Sequence, residues 1–368
     1  MRELLMDTFR KWLWIEDDIT LDIVMATVLS ALFPGDPVWL LVIGPPGGGK
    51  SELVRALSGH HIYSLDTLTT KSLVSGFKEQ GKTATFGILP DLDGKVLVIK
   101  DLTVMLQNVS ARYEENIFTQ LRAAYDGEYS SAHGSGLKRQ SYKSTFGVVA
   151  AVTPIVDEFR TLSSALGERF ITIRHYQSRV DAIRRAQENC GQEKVMRPEL
   201  SKCTEDAIEY YEELARAGGI PTLDDIEGTK IRKLADITSM LRTEVKRDRE
   251  RNVVVLPGVE IGTRLVKQFT RLSEMLKLYG AWSYSKLIRV ANDSISPLRL
   301  KVIKSLHELY AANPNEITAH CLLTHKTVSE YCEDMWMLGI CDKEVKGKTN
   351  TYSFRPEVKE LIVESELF

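Results

Sequence analysis

Eight consecutive residues carry the clearest chemistry in this chain: Gly44-Pro45-Pro46-Gly47-Gly48-Gly49-Lys50-Ser51. They fit the pattern G-x-x-x-x-G-K-[ST] at every fixed position. Glycines in such a run let backbone N–H groups turn inward around an anion, where side chains would collide with phosphate. Lys50 is long enough to reach the β- and γ-phosphates of a nucleotide, and the Ser51 hydroxyl suits Mg²⁺. The context also fits. Val38–Ile43 reads as a strand entering the loop, and Glu52–Leu57 as a helix leaving it with its positive dipole end toward the phosphates. The expected nucleotide contacts are Gly44, Pro45, Pro46, Gly47, Gly48, Gly49, Lys50, Ser51 and Glu52, and the expected cofactors are ATP and Mg²⁺.

A site of this kind needs a carboxylate at the tip of a neighbouring strand. Val96-Leu97-Val98-Ile99 runs into Lys100-Asp101, so Asp101 is the candidate, with Ser51 the second metal ligand. Two roles for Asp101 stand open. As the carboxylate on the metal side, it is followed by Leu102 instead of a glutamate. As the acid that activates water, it puts Lys100 beside Mg²⁺.

The elements that must position these residues follow from composition and periodicity. A chain of 368 residues can hold two domains or three small ones. With 43% hydrophobic and 27% charged residues, disordered, collagen-like and disulfide-scaffold classes are excluded. Lys+Arg at 48 against Asp+Glu at 50 leaves no global basic field, so nucleic acid would have to bind local patches. Cys190, Cys203, Cys321, Cys332 and Cys341 lack zinc-knuckle or redox-dithiol spacing and read as reduced thiols. The uncharged stretch Ile23–Gly35 is too short to span a bilayer and no signal-peptide layout is seen, which predicts a cytoplasmic protein with no membrane association.

Residues 1–37 read as a helical segment stopped by Pro34-Gly35-Asp36-Pro37. Residues 38–178 alternate helical patterns with the apolar runs Val38–Ile43, Val96–Ile99, Phe146–Val152 and Phe170–Ile173, the signature of buried parallel strands. Residues 179–295 read as helical, clearest at Ala207–Ala217 and Ile261–Tyr279. Residues 296–368 read as helix (Pro297–Ala312), two short helices and a hairpin (Ile340–Glu344 with Thr351–Phe354), the order of a winged helix.

This order of motifs resembles an AAA+ ATPase, and within that class the MCM helicase branch and similar phage or mobile-element ATPases. The resemblance covers roughly residues 38–280. It implies an α/β P-loop NTPase core with a helical lid and a C-terminal winged-helix domain. Gly44–Ser51 is similar to Walker A and Val96–Asp101 to Walker B. Val148–Pro154 is similar to the sensor-1 strand, with Thr153 at the polar position that holds water or the γ-phosphate. Gly167-Glu168-Arg169-Phe170 is similar to the segment supplying an arginine finger to the neighbouring subunit, with Arg160 the other candidate. Gly262-Thr263-Arg264-Leu265 is similar to sensor 2, with Arg264 reaching the γ-phosphate. The implied catalytic set is Lys50, Asp101, Thr153, Arg169 and Arg264. The implied assembly is a homo-oligomer, a hexamer by analogy, since a finger acting in trans makes a lone subunit incomplete.

Residues 126–145 read as a hairpin with a glycine-rich tip bearing His133, Lys138, Arg139 and Lys143. In the resembled helicases a hairpin here touches DNA backbone, so DNA contact and an ordinary solvated hairpin both stand. The cationic stretch Lys230–Arg251 reads as a solvated helix face. The third helix of the end domain, Thr327–Leu338, is expected to expose Glu330, Glu333 and Asp334, which phosphates repel; a protein partner for this domain is favoured over sequence reading. Two functions follow: an oligomeric ATP-hydrolysing motor on DNA (helicase, translocase or loader), or an ATP-dependent assembly switch that recruits a nuclease or transposase. A small-molecule kinase lacks any evident acceptor site.

Overall fold

The computed structural model describes residues 1–68, 73, 87–106, 116–131, 140–158, 169–248, 250–346 and 349–368. They form two compact units. One holds the chain up to Thr222 together with Arg271–Lys286; the other holds Leu223–Thr270 and Leu287–Phe368.

The first unit is α/β. Its centre is β1 (Trp39–Ile43), whose side chains are buried at every position. An uninterrupted apolar run can be satisfied only where both faces of a sheet are covered. β2 (Ile62–Leu65), β3 (Val96–Ile99), β6 (Gly147–Val152) and β7 (Phe170–Arg174) complete a five-stranded sheet in the order β2-β3-β6-β1-β7. All its pairings are parallel. Four strands fall on the predicted runs. β2 has no predicted counterpart: it is a short, half-exposed edge strand, too polar at Tyr63-Ser64 to stand out. The register sets Ile43 level with Val152 and Arg174, and Ile99 level with Ala150. The carboxyl ends of the central strands therefore share one edge.

Helices α1 (Arg2–Trp12) and α2 (Ile19–Ser30) belong to this unit. Every α2 residue from Thr20 to Ser30 is buried, and the helix lies against β1, β6 and β7. Between strands lie α3 (Lys50–Arg55), α4 (Asn116–Tyr125) and the hairpin of β4 (Glu128–Ser131) with β5 (Gln140–Lys143). After β7 come α5 (Arg179–Glu188) and α6 (Glu193–Gly218). Met196, Leu200, Thr204, Ala207, Ile208, Tyr211 and Ala215 make one buried stripe on α6, which packs on α1 and α2. α2 packs on the sheet and α6 packs on α1 and α2, so the segments on either side of residues 37 and 178 share one compact unit.

In the second unit, α7 (Asp225–Arg242) starts at a capping box formed by Asp224 and Glu227 and ends at Thr243. The stretch expected to continue as helix to Arg251 instead turns into β8 (Lys246–Arg247), paired with β9 (Val253–Val255). Arg232 and Lys246 are exposed as expected, but other cations of the stretch are paired within the chain. Arg242 pairs with Glu260, Arg247 with Glu333 (2.8 Å) and Asp334 (2.6 Å), and Arg251 with Glu330 (2.5 Å). The acids expected to be exposed on the third end-domain helix are therefore neutralised within the chain, and Asp334 is 2% exposed. α8 (Thr263–Leu278) and α9 (Tyr284–Asp293) lead to α10 (Pro297–Leu309). That helix stops short of Ala312, because Tyr310 takes a left-handed φ of 62° and sends Ala311–Ala312 into strand β10. α11 (Pro314–Cys321), α12 (His325–Met337), β11 (Cys341–Lys346), β12 (Thr349–Phe354) and an unforeseen α13 (Pro356–Glu364) follow. The three strands form an antiparallel sheet in the order β10-β12-β11. α13 packs on α7, with ion pairs Lys230–Glu366 and Lys233–Glu364. Among the described residues, no helix is long and apolar enough to cross a membrane.

Two buried carboxylates hold these units internally. Asp22, fully buried on α2, accepts from Arg2 Nε at 2.9 Å and Lys286 Nζ at 2.7 Å. Asp22→Ala removes the buried acceptor shared by both cations, although Arg2 keeps Glu3 and Asp18, and is expected to cost about 3 kcal/mol, against less than about 1 kcal/mol for breaking the exposed Arg184–Asp181 pair by Arg184→Ala. Arg247→Ala, which takes both of its contacts away from buried Asp334, is expected to cost roughly 3–5 kcal/mol in the second unit. Urea denaturation followed by circular dichroism measures all three.

Candidate functional site

The glycine run leaves the carboxyl end of β1 and turns directly into α3. In open parallel sheets, ligands bind beyond the carboxyl ends of strands where successive connections diverge. β1 is at such a point: the chain runs from it to β2 on one side, while the connection from β6 crosses over it to β7. Both neighbours pin the loop's start. Gly44 N donates to the Val152 carbonyl at 3.1 Å, and His175 N donates to the Ile43 carbonyl at 2.7 Å. A Cβ on Gly44 would meet the His175 carbonyl at 3.1 Å, so the approach is close as well as anchored. Gly47 and Gly49 adopt φ of 75° and 77°, conformations other residues rarely take, so the loop's path depends on glycine at both.

Lys50 is buried, with Nζ donating to the Pro45 carbonyl at 3.3 Å. Burial lowers its pKa, and the nearby charge of Asp101 pulls it back up. Lys100 turns away to Asp66 beyond β2, at 2.9 Å, whereas Asp101 is near enough for its charge to act on Lys50. Asp101 Oδ1 accepts the Thr103 backbone N–H at 2.8 Å, and Thr103 Oγ1 accepts the Thr153 N–H at 3.1 Å. A chain of hydrogen bonds thus joins Asp101 to Thr153 at the tip of β6. Lys50, Asp101 and Thr153 thus lie at the same carboxyl edge of the sheet.

Other expected residues are placed differently. Glu52 is held by Arg197, through contacts of 2.8 and 3.1 Å. Arg169 precedes β7 at its amino end, level with the start of β1, about 16 Å along the strands from the glycine loop. It is 7% exposed, pairs with Asp126 at 3.1 Å and stacks 5.7 Å from the Tyr125 ring centroid, so its guanidinium is turned into its own subunit. Arg264 is half-buried in the first turn of α8, in the second unit. Lys143 is exposed at the base of the β4–β5 hairpin, in register with Glu128, and not at its tip. His133, Lys138, Arg139 and Arg160 lie outside the described residues.

Beside the glycine loop is a cavity of about 360 Å³, within the range of small-molecule sites. Trp12, Trp14, Gln177, Arg185, Asn189 and Arg197 form its far side. Gln177 donates to the Trp14 carbonyl at 2.5 Å and Asn189 to the Trp12 carbonyl at 2.8 Å, which fixes the turn between α1 and α2. These residues escaped the sequence reading; two indoles within three residues at a break between helices were the only signal. No protein-family model matches the chain, and no curated protein matches it.

His175 sits buried behind the loop, with the Gln177 amide 2.8 Å from its Nε2. Burial pushes its pKa below the ordinary 6.5; the Gly48 carbonyl and Asp17 oppose the shift and Lys50 adds to it. The unfolded chain takes up this proton at a higher pH than the folded one, so stability declines as pH falls from about 6.5 toward the lowered value. Melting temperatures measured between pH 7.5 and 5.5 are expected to fall less steeply for His175→Gln than for the wild type.

Proposed function

We propose that this chain binds and hydrolyses ATP with Mg²⁺ as an oligomeric AAA+-type motor acting on DNA. One observation carries the reading: an anchored glycine loop at the carboxyl edge of a parallel sheet, with Lys50, Asp101 and Thr153 converging on it. The residues present fit a triphosphate. Gly47 and Gly49 keep the loop clear of side chains, and buried Lys50 is held where it meets nothing more acidic than a carbonyl and Asp101. Ser51 and Asp101 would hold Mg²⁺, which supplies charge neutralisation on the phosphate oxygens. Lys50 balances the charge that develops on the transferring phosphoryl group, and Thr153 orients the attacking water. The cavity beside the loop suits the base and ribose, bounded by Trp12 and Trp14.

The remaining parts of the proposal follow the resemblance. Residues of the second unit serve as lid and winged-helix domain, Arg264 as sensor 2, and the 128–143 hairpin as the DNA contact. The protein partner expected for the end domain remains part of the proposal, although neutralisation of Glu330, Glu333 and Asp334 removes the charge argument that favoured it over DNA.

Two observations favour the second reading, an ATP-dependent assembly switch with slow turnover. Arg169 is paired inside its own subunit, so acting in trans requires it to leave Asp126. And buried Leu102 stands where a water-activating acid would follow Asp101.

ATP turnover with and without single- and double-stranded DNA, together with mass measured with a nonhydrolysable ATP analogue, separates the readings. Fast, DNA-stimulated turnover supports the motor; slow, DNA-indifferent turnover with nucleotide-driven assembly supports the switch. Lys50→Ala is expected to lower turnover by at least about 100-fold. Nucleotide is also expected to change tryptophan fluorescence in the wild type, and Trp14→Phe to reduce that signal. Undiminished turnover in Lys50→Ala would end both readings.

A further inference from the structure

A second group of ligating side chains converges away from the glycine loop. His60 and His61 lie in the turn between α3 and β2, and Glu212 faces them from α6. Their ligand atoms lie within 4.8 Å of one another. Neighbouring residues of an extended strand point to opposite faces. Here the turn that begins at Gly59, with φ of 125°, instead sets the two imidazoles side by side, their centroids 3.7 Å apart.

One pair in this group already has the spacing of a coordination sphere. His61 Nε2 and Glu212 Oε2 are 3.2 Å apart. Two ligands bonded to a tetrahedral Zn²⁺ at about 2.0–2.1 Å each are separated by about 3.3 Å. An ion can therefore replace the shared proton with little movement of either side chain. The carboxylate is already oriented for this. Arg216 occupies Glu212 Oε1 at 2.5 Å, which leaves Oε2 toward the imidazoles. Glu212 is 7% exposed, while His60 is open to solvent, giving the ion a path in and a water to complete its sphere. Two imidazole nitrogens and one carboxylate oxygen suit zinc or a neighbouring transition metal; Mg²⁺ prefers oxygen ligands throughout.

We propose that His60, His61 and Glu212 form a zinc site that clamps the α3–β2 turn to α6. Thr204 Oγ1 on α6 already donates to the Ala56 carbonyl just ahead of this turn, so the ion fastens two segments that are in contact without it. The site does not depend on the nucleotide reading. Its position between the sheet edge and a packed helix, joining two segments of the same unit, gives it a structural task.

The test uses the full chain, stripped with a chelator and titrated with Zn²⁺ by calorimetry, with Mg²⁺ as the control and Co²⁺ absorption as the probe of geometry. One zinc per chain is expected, with tetrahedral cobalt bands and a raised melting temperature. Glu212→Gln and His61→Gln are each expected to weaken binding by well over about 10-fold, and Arg216→Gln by about 10-fold. His60→Gln alters an exposed side chain and should fold normally, so its loss of affinity, at least about 10-fold, reads ligation independently of folding. No saturable zinc binding, equal binding of Mg²⁺, or unchanged zinc affinity in His60→Gln and His61→Gln would overturn the site and leave a plain histidine–glutamate hydrogen bond.

Discussion

A glycine-rich loop takes a defined path only if it is held at its root, and here the root is β1. Its five side chains are buried, and its backbone is bonded to β6 on one side and β7 on the other. Both of its faces are covered, so a one-residue slip would send every side chain into the close packing of the opposite face, where its shape does not fit. The glycines that follow owe their use to that rigidity. Without the hydrogen bonds from Gly44 to Val152 and from His175 to Ile43, the same eight residues would be a mobile turn, and ordering them around an anion would cost conformational entropy at the moment of binding.

The same register gathers the polar groups. β6 ends level with β1 and β3 ends two residues earlier, so Asp101, two residues past the end of β3, falls close to Thr153 at the tip of β6 without long side chains having to reach. Thr103 then bridges them through its hydroxyl. The α1–α2 layer contributes from the opposite direction. Burial of α2 on the sheet brings the turn at Trp12–Trp14 against the loop and makes the cavity a property of the whole first unit.

Arginines in this chain act mainly as internal struts. Arg247 and Arg251 pull the β8–β9 hairpin onto the acids of α12, and Arg169 closes over Asp126 beneath the Trp39–Tyr125–Phe146–Phe170 aromatic cluster. An arginine's type and place in a motif give its reach but not its direction. Direction depends on which carboxylate folding brings nearest, and the desolvated pair then holds the guanidinium in place.

The α/β class, four of the five sheet strands and the loop were legible in the residues, because long apolar runs and a glycine pattern are local properties that need no partner to be recognised. The edge strand β2 was not, since four half-exposed residues become a strand only by pairing with β3. The end of α7 at Arg242 was hidden for a similar reason: charged residues keep helical spacing whether or not they are helical, and only the acids of α12, some 85 residues away, draw Arg247 and Arg251 into a hairpin. The sequence alone determined which residues could cradle phosphate. Tertiary structure decided that Lys100 turns away to Asp66, that Arg169 turns inward, that two tryptophans wall the cavity and that His60 and His61 meet Glu212, because each of these is a contact between segments whose separation along the chain carries no trace in local pattern.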